Sequence, residues 1–311
     1  MGQYSDLLNR YLSGLNISEH LRGRLNTENE IANLHEVIRL SYDLQAGTYI
    51  EDYLRRKNFY DSRMAYVVES FYPFLEQCSF VNKNHHILDL GVGEATTFTS
   101  FVKQLCARGV DVSCFGMDLS LSRLATARDF TAAKLDQDIS FVVGNLTSIP
   151  FSDSSMDVCM TMHAIEPNRG MEDEILNEII RVSRHFIILL EPIYETASNS
   201  ERNHMNKHFY AQNILSAIQR RTDIQIIHDS ILPRSLQDDN QSSSLLVIKK
   251  LTPESKYQDS HYICPIERTK LHSGKGFWLS AQGTCYPEID GLPVLDPRYC
   301  LPYYAMSKQY N

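Results

Sequence analysis

Apolar segments of strand length alternate with amphipathic helical segments over most of the chain, and this alternation limits the possible folds more than any other feature. Strand-like segments occupy residues 86–90, 112–118, 139–145, 156–163, 186–192, 224–229 and 245–251, and helix-like segments occupy residues 96–108, 120–130, 172–183 and 204–219. Such alternation predicts an α/β fold with a mostly parallel sheet and helices on both faces. A polar stretch before the last strand-like segment predicts that this strand is inserted antiparallel.

The pattern of residues along the sequence divides the chain into three regions. Residues 1–84 contain helical patterns and no strand signal, whereas residues 252–311 are irregular and rich in aromatic side chains. We therefore predict an N-terminal helical region (1–84), a core (85–251) and a small appendage (252–311). The appendage is too short to hold a large core of its own.

Composition excludes several classes of protein. A formal net charge of −8 argues against a nucleic-acid-binding surface. No apolar run approaches the ~20 residues that span a membrane, and the N-terminus lacks the basic-then-apolar pattern of a signal peptide, so we expect a cytoplasmic protein. Seven cysteines without paired spacing favour reduced thiols, with Cys106, Cys114 and Cys159 in the core.

The stretch HHILDLGVGEATTF (residues 85–98) passes from a strand-like segment into a helix through an acidic residue and two glycines. Glycine lets such a turn bend and lets a ligand approach the backbone, and open parallel sheets bind ligands beyond the carboxyl ends of their strands. A dinucleotide fingerprint would need a third glycine at position 96, which is Thr. The motif therefore fits a pyrophosphate poorly.

The next two strand-like segments end in side chains suited to a nucleoside. Asp118 can accept two hydrogen bonds from a ribose diol. Asn145 offers a polar group for the edge of an adenine, and Leu146 an apolar contact for its face. Together they predict an adenosine pocket without phosphate groups.

With these motifs, residues 85–250 resemble the class I S-adenosylmethionine-dependent methyltransferases, which have a Rossmann-like seven-stranded sheet. DLGVGEAT resembles their first motif, with Ala95 in place of the usual last glycine. The resemblance implies S-adenosylmethionine as cofactor and S-adenosylhomocysteine as product. It places Asp89, Gly91 and Gly93 beside the methionine moiety, Asp118 on the ribose, and Leu119, Asn145 and Leu146 around the adenine. Asn145 stands where an Asp is more frequent.

An N-terminal helical segment closes over the cofactor in many small-molecule methyltransferases of this class. The stretch SYDLQAGTYIEDYL (residues 41–54) resembles such a lid, with Gly47 as a hinge and Tyr49 against the cofactor. Alternatively, its tyrosines pack helix on sheet.

Methyl transfer requires alignment of donor and acceptor and, for a hydroxyl or protonated amine, removal of a proton. The candidates for this role follow the fourth and fifth strand-like segments and lie on the next helix: His163, Glu166, Glu191 and His208. His163 is either a general base or a structural histidine. The glutamates either neutralise an amine acceptor or pair with surface bases. His204 and His208 lack a third ligand nearby, so we predict no metal.

The segments YICPIERTKL and GFWLSAQGTCYPEIDGLPVL resemble the zinc-ribbon-like domain of the tRNA methyltransferase activator family. Of the four positions at which that domain has cysteines, only Cys264 is a cysteine, and Glu267, Leu279 and Gln282 occupy the others. A structural zinc site needs about four ligands, so we predict a metal-free, degenerate ribbon.

These features predict a methyltransferase acting on N or O of a small or carrier-linked metabolite. The motifs HAIEPN and EPIYE together with a degenerate ribbon look like bacterial methyltransferases of surface-polysaccharide or specialised-metabolite pathways, and this resemblance implies a nucleotide-linked or otherwise activated sugar as acceptor. One alternative is an enzyme for a quinone-like or aromatic metabolite. Another is a noncatalytic scaffold that binds the cofactor and acts through its appendage. A homodimer is possible under any of them.

Overall fold

The computed structural model describes residues 10–11, 13–14, 30–77, 84–237, 242–251 and 262–303. Among these residues, the N-terminal helices are α1 (Glu30–Leu44), α2 (Thr48–Arg55) and α3 (Lys57–Gln77). The core follows as β1 (His85–Leu90), α4 (Thr96–Cys106), β2 (Val112–Asp118), α5 (Leu121–Ala132), β3 (Ile139–Val143), β4 (Met156–Met162), α6 (Glu172–Val182), β5 (Ser183–Glu191), α7 (Asn199–Lys207), α8 (Ile214–Gln219), β6 (Ile224–Ile231) and β7 (Ser244–Lys250). The C-terminal strands are β8 (Leu271–Gly274), β9 (Phe277–Ser280), β10 (Thr284–Ile289), β11 (Leu292–Pro293) and β12 (Leu301–Pro302).

The core is a seven-stranded sheet with the order β3-β2-β1-β4-β5-β7-β6. Its first five strands are parallel, and β7 lies antiparallel between β5 and β6. The predicted α/β sheet with an inserted antiparallel strand is therefore confirmed. The order reverses at β1, so the loops after β1 and β4 diverge there and leave a crevice at the carboxyl ends of the strands.

Helix α4 shows why the glycine turn leads into a packed helix. Ala95, before its first residue, has a left-handed φ of 56°, and the apolar face at Phe98, Phe101 and Leu105 is fully buried against the sheet. Cys106, predicted to lie in the core, is exposed at the last position of the helix, whereas Cys114 and Cys159 are buried.

The predicted continuous helix over residues 204–219 is wrong, because the chain breaks between α7 and α8. Phe209 adopts a left-handed φ of 57°, and the N–H of Ala211 bonds to the carbonyl of Glu166 at 2.7 Å. The break ties this segment to the loop after β4. His208 therefore caps the end of α7 instead of continuing its face.

The C-terminal strands form a second antiparallel sheet with the order β11-β10-β9-β8, and β12 pairs with β10. This sheet packs on the edge of the core, where Val294 bridges Val143 and the N–H of Leu295 bonds to the carbonyl of Val143 at 2.8 Å. The β-rich appendage is thus present and lies next to the end of β3. The exact boundaries of the three regions stay a prediction.

None of the described helices is long and apolar enough to cross a membrane. Within the same residues there is also no cluster of three His, Cys, Asp or Glu side chains that could hold a metal ion.

Candidate active site at the carboxyl ends of the strands

A cavity of about 250 Å³ lies at the carboxyl ends of β1, β2, β3 and β4. Of the predicted residues, Gly91, Gly93, Asp118, Leu119, Asn145, Leu146, Tyr49, His163 and Glu166 line it, and Asp89, Glu191 and His208 do not. Residues of the N-terminal helices form the opposite wall. The volume is just below the ~300 Å³ at which small-molecule sites begin.

Both glycines of the turn have backbone conformations that other residues rarely adopt, with φ of 78° at Gly91 and 55° at Gly93. A Cβ on Gly91 would come within 2.3 Å of the Cβ of Ala164, so this glycine lets β1 approach the loop after β4. A Cβ on Gly93 would stand 3.4 Å from Nη1 of Arg123. Packing within the protein thus explains part of the requirement for glycine.

Asp118 orders the backbone of the first two motifs. Its Oδ2 accepts from the N–H of Gly93 and its Oδ1 from the N–H of Ser120, each at 2.8 Å. Burial raises the pKa of Asp118, although Arg123 lowers it. Each oxygen keeps a second lone pair that a ribose hydroxyl could use.

Asp89 is 1% exposed at the end of β1, and its Oδ1 has no hydrogen-bond partner among the described residues. Burial, followed by the charges of Asp118 and Glu191, raises the pKa of Asp89 well above its ordinary value. An orphaned buried carboxylate oxygen beside two other acids is a place that favours a cation.

Asn145 has few hydrogen bonds left for a ligand. Its Oδ1 accepts from the N–H and the hydroxyl of Thr147, each at 3.0 Å, so its Nδ2 must face Nδ1 of His35, at 3.0 Å. His35 is 8% exposed, and its Nε2 has no partner within the described part of the chain. Because Nδ1 accepts from the amide, a neutral His35 carries its proton on Nε2. Burial, followed by Arg298, lowers the pKa of His35 and keeps it neutral.

The loop after β4 carries a paired acid and base. Nδ1 of His163 lies 2.9 Å from Oε2 of Glu166, and its Nε2 lies 2.9 Å from the hydroxyl of Ser243. Burial lowers the pKa of His163, but the charge and hydrogen bond of Glu166 outweigh it, and the net pKa is raised. Both nitrogens of His163 are engaged, so Glu166 is the member of the pair better placed to meet an acceptor.

Glu191 lies beneath this loop and is fully buried. Its Oε1 accepts from the N–H groups of Ala164 at 2.9 Å and Ile165 at 3.1 Å, so it shapes the turn that presents His163 and Glu166. Burial raises the pKa of Glu191 to about 7. The other catalytic candidate outside the cavity, His208, lies against His204, with the two rings tilted and their centroids 4.4 Å apart.

Residues 35–50, which we call the cover segment, are tied to the ends of three strands. The buried carboxylate of Glu94 accepts from the N–H of Gly47 at 2.9 Å and from that of Ile50 at 2.8 Å, and Asp43 accepts from the hydroxyl of Ser120. The third tie is the bond between His35 and Asn145. Tyr49, predicted to contact the cofactor, stacks on the guanidinium of Arg123.

Sequence reasoning missed four residues of this site: His35, Glu94, Arg123 and Ser243. His35 and Ser243 come from distant parts of the chain, and nothing local marks them. Glu94 and Arg123 lie within or just after recognised motifs, and a charged residue directly before the buried Leu124 in the first turn of α5 was a usable signal for Arg123.

Comparisons with known proteins agree with the fold. Residues 87–185 match the model of the methyltransferase domain family. The chain is 29% identical over 124 residues to ajmaline N-methyltransferase from Rauvolfia serpentina, covering 39% of this chain and 40% of that protein. It is also 29% identical over 102 residues to norajmaline N-methyltransferase from the same plant, covering 32% of this chain and 33% of that protein. The match thus spans less than half the length of either relative.

Among solved structures, magnesium protoporphyrin IX methyltransferase from Synechocystis PCC 6803, with bound S-adenosylhomocysteine, superposes with a TM-score of 0.51. The identity is 11%, and the alignment covers 70% of this chain and 99% of that chain. The core is therefore a class I methyltransferase fold. Together with the family match over residues 87–185, this supports the resemblance to the class I S-adenosylmethionine-dependent methyltransferases that the strand-end motifs indicate for the core.

Proposed function

We propose that this protein transfers a methyl group from S-adenosylmethionine to N or O of a small or carrier-linked acceptor. The observation that carries the proposal is the meeting of three strand ends in one cavity: the glycine turn after β1, Asp118 at the end of β2, and Asn145 after β3. That arrangement provides groups for a ribose and a purine. The class I methyltransferase fold of the core supports S-adenosylmethionine as the methyl donor.

The residues present fit an adenosyl cofactor. Asp118 would accept from the ribose hydroxyls, Leu119 and Leu146 would pack on the adenine, and the orphaned oxygen of Asp89 would favour the ammonium end. Asn145 would act mainly through His35, whose Nε2–H is the available donor. When bound, S-adenosylmethionine supplies an electrophilic methyl group.

On the acceptor side, Glu166 would orient the attacking atom and accept its proton, and His163 would hold the Glu166 carboxylate in place through the 2.9 Å bond. We assign Glu191 a positioning role, because it bonds to the backbone of the loop and does not line the cavity. His208 stays a weaker candidate for the acceptor pocket, since it lies outside the cavity.

The support for the class of acceptor is less direct than the support for the cofactor. The two plant relatives are named as N-methyltransferases of small molecules, which favours nitrogen as the acceptor atom. The nucleotide-linked sugar predicted from the sequence stays one proposal. An aromatic or quinone-like acceptor is the second, because Tyr42, Tyr49 and Tyr60 line the cavity. We also propose that the protein works in the cytoplasm, that it does not bind nucleic acid, and that it forms a homodimer.

Isothermal titration tests the cofactor step. Wild-type protein should bind S-adenosylmethionine and S-adenosylhomocysteine but not NAD. Asp118→Ala should weaken both by roughly 10- to 100-fold, because it removes hydrogen bonds to a charged group. Asp129→Ala on the exposed side of α5 is the matched control, and circular dichroism checks the fold of each variant. If the wild-type protein binds neither adenosyl compound, the proposal fails.

Turnover tests the transfer step. An acceptor panel of amines, nucleotide sugars and phenols is assayed for S-adenosylhomocysteine release, and Glu166→Gln should lower kcat while leaving the cofactor Kd unchanged. Tight cofactor binding without turnover on any acceptor would instead support the noncatalytic scaffold.

A further inference from the structure

Arg123 is a buried cation in the wall of the cavity with no assigned role. It lies in the first turn of α5, is 5% exposed and lines the cavity. Its guanidinium carbon stands 4.3 Å from the ring centre of Tyr42 and 4.1 Å from that of Tyr49, both from the N-terminal helical region. Stacking on these rings fixes the guanidinium plane and leaves its edge for hydrogen bonds.

The donors on that edge are unused. Neither Nε nor Nη2 has a hydrogen-bond partner in the ranges that the structure describes. These two nitrogens lie on the same side of the guanidinium and form the fork that binds two oxygens of a carboxylate or phosphate at once. Nη1 points toward the glycine turn, 3.4 Å from the position of a Cβ on Gly93.

The acids near Arg123 already hold other partners. The two oxygens of Asp118 accept from Gly93 and Ser120, and those of Glu94 accept from Gly47 and Ile50. A buried guanidinium with two unpaired donors costs stability unless something satisfies them. In a chain with a formal net charge of −8, an anionic ligand would need such a local cation to enter the cavity.

We propose that Nε and Nη2 of Arg123 form a bidentate binding site for an anionic group with two oxygens, a carboxylate or a phosphate, on a ligand of this cavity. The inference rests on the proposed function in treating the cavity as a ligand site. Two sources carry this chemistry: the carboxylate of the methionine moiety of the cofactor, and an acidic group on the acceptor. If the acceptor is the source, the protein methylates acidic metabolites.

The experiment compares wild-type protein with Arg123→Met, which removes the donors and the charge at similar length, and Arg123→Lys, which keeps the charge without the planar fork. Arg128→Met is the matched control, because Arg128 lies on the same helix, bonds to Asp290 and does not line the cavity. The first arm measures the Kd of S-adenosylhomocysteine against its decarboxylated analogue. The second arm measures the rise in Tm caused by benzoate and by inorganic phosphate, against neutral benzamide, with and without S-adenosylhomocysteine.

If the cofactor supplies the anion, wild-type protein prefers S-adenosylhomocysteine over the decarboxylated analogue by tenfold or more, and Arg123→Met loses that preference. If the acceptor supplies it, Arg123→Met keeps the preference but loses the Tm rise from benzoate or phosphate. In both cases Arg123→Lys retains only part of the effect, and Arg128→Met behaves as wild type.

The inference is overturned if Arg123→Met, or a well-folded Arg123→Lys where the Met variant does not fold, matches wild type in both arms. Failure of the proposed function looks different, because wild-type protein would then bind neither adenosyl compound. In that case the Tm measurement with benzoate and phosphate is still informative without cofactor. A rise in Tm that depends on Arg123 supports the anion site, and the absence of such a rise counts against it.

Discussion

His35 shows how one side chain can be oriented by a chain of unambiguous donors. The N–H of Thr147 can only donate, so it fixes Oδ1 of Asn145, which fixes Nδ2 toward His35 and leaves the His35 proton on Nε2. Nε2 is buried in the cavity wall without a partner in the described residues. A ring nitrogen of a purine is an acceptor that would satisfy it.

We therefore expect His35→Phe to weaken the binding of S-adenosylhomocysteine by roughly 5- to 150-fold, the equivalent of one buried hydrogen bond. His35→Gln places an amide donor close to the position of Nε2 and should recover much of the loss. Titration calorimetry measures both, with His228→Phe outside the cavity as the control. Equal affinity in the Phe and Gln variants would show that His35 serves packing alone.

The sequence predicted the residues that follow directly from strand ends, and it failed where position depends on packing between distant segments. Gly93, Asp118 and Leu146 line the cavity because parallel strands bring their carboxyl ends to one edge of the sheet. Glu191 is also at a strand end, but its side chain turns under the next loop to bond with Ala164. His35 reaches Asn145 across 110 positions, which no local pattern encodes.

At the scale of elements, the cover segment closes the cavity through a few polar bonds. Glu94 accepts from two backbone N–H groups at the start of α2, where an acid also interacts favourably with the helix dipole. The residue belongs to the glycine turn itself. Binding at that turn and closure of the cover segment are thereby linked.

Glu94→Gln should loosen the start of α2, because an amide can accept from only one of the two N–H groups and presents a donor to the other. We expect a local cost of roughly 1–3 kcal/mol, faster tryptic cleavage at Arg55 and Arg56, and weaker cofactor binding. The exposed Glu51→Gln in the same helix serves as control. Cleavage at the wild-type rate would indicate that other contacts hold the segment.

Two turns of the second sheet have left-handed backbone next to positions that we compared with the ligands of a zinc ribbon. Arg268 and Gly283 have positive φ values of 58° and 93°, and the N–H of Glu267 donates to Sγ of Cys264 at 3.4 Å. Cys264 is buried, and its sulfur lies 3.3 Å from the hydroxyl of Tyr286. Hydrogen bonds and packing thus surround Cys264, and the metal-free ribbon stays a prediction.

We expect EDTA to leave the Tm of the purified protein unchanged and metal analysis to find no stoichiometric zinc. Cys264→Ala should destabilise the protein by roughly 0.5–3 kcal/mol through lost packing, whereas exposed Cys106→Ala should stay within about 0.5 kcal/mol. One zinc per chain, together with a fall in Tm on chelation, would contradict the metal-free interpretation.

In the whole molecule, the strand–helix alternation was enough to predict the core sheet. The contacts between the core and the C-terminal sheet could not be predicted in this way. The edge contact between Val143 and Val294 brings the appendage beside the end of β3, where the cavity lies. From there, Asp296 and Arg298 reach the electrostatic surroundings of His35. The sequence predicts a small C-terminal unit, but no local pattern shows that this unit pairs with the end of β3.

Buried ionisable side chains are concentrated near the carboxyl ends of the core strands. Asp89, Asp118 and Glu191 are all buried near the strand ends, and burial raises the pKa of each. The pKa of His163 is also raised, since its pairing with Glu166 outweighs the effect of burial. All four groups hold protons more tightly in the folded than in the unfolded protein, so the stability that they contribute is full at low pH and is lost as pH rises through their folded pKa values.

The contribution of these four groups to the free energy of unfolding of the cofactor-free protein should therefore fall as pH rises from about 4.5 to 8, whereas that of His35, whose pKa is lowered, should rise. Glu191, whose pKa rises from 4.5 to about 7, accounts for at most roughly 3 kcal/mol of that fall. Glu191→Gln should flatten the pH profile of the free energy of unfolding in this window.

S-Adenosylmethionine carries a sulfonium charge that favours the ionised acids. The stabilisation of the folded protein by S-adenosylmethionine should therefore grow with pH more than the stabilisation by S-adenosylhomocysteine. Urea denaturation at several pH values measures both effects, and a stability that instead rises from pH 5 to 8 would show that these carboxyls are already ionised in the folded protein.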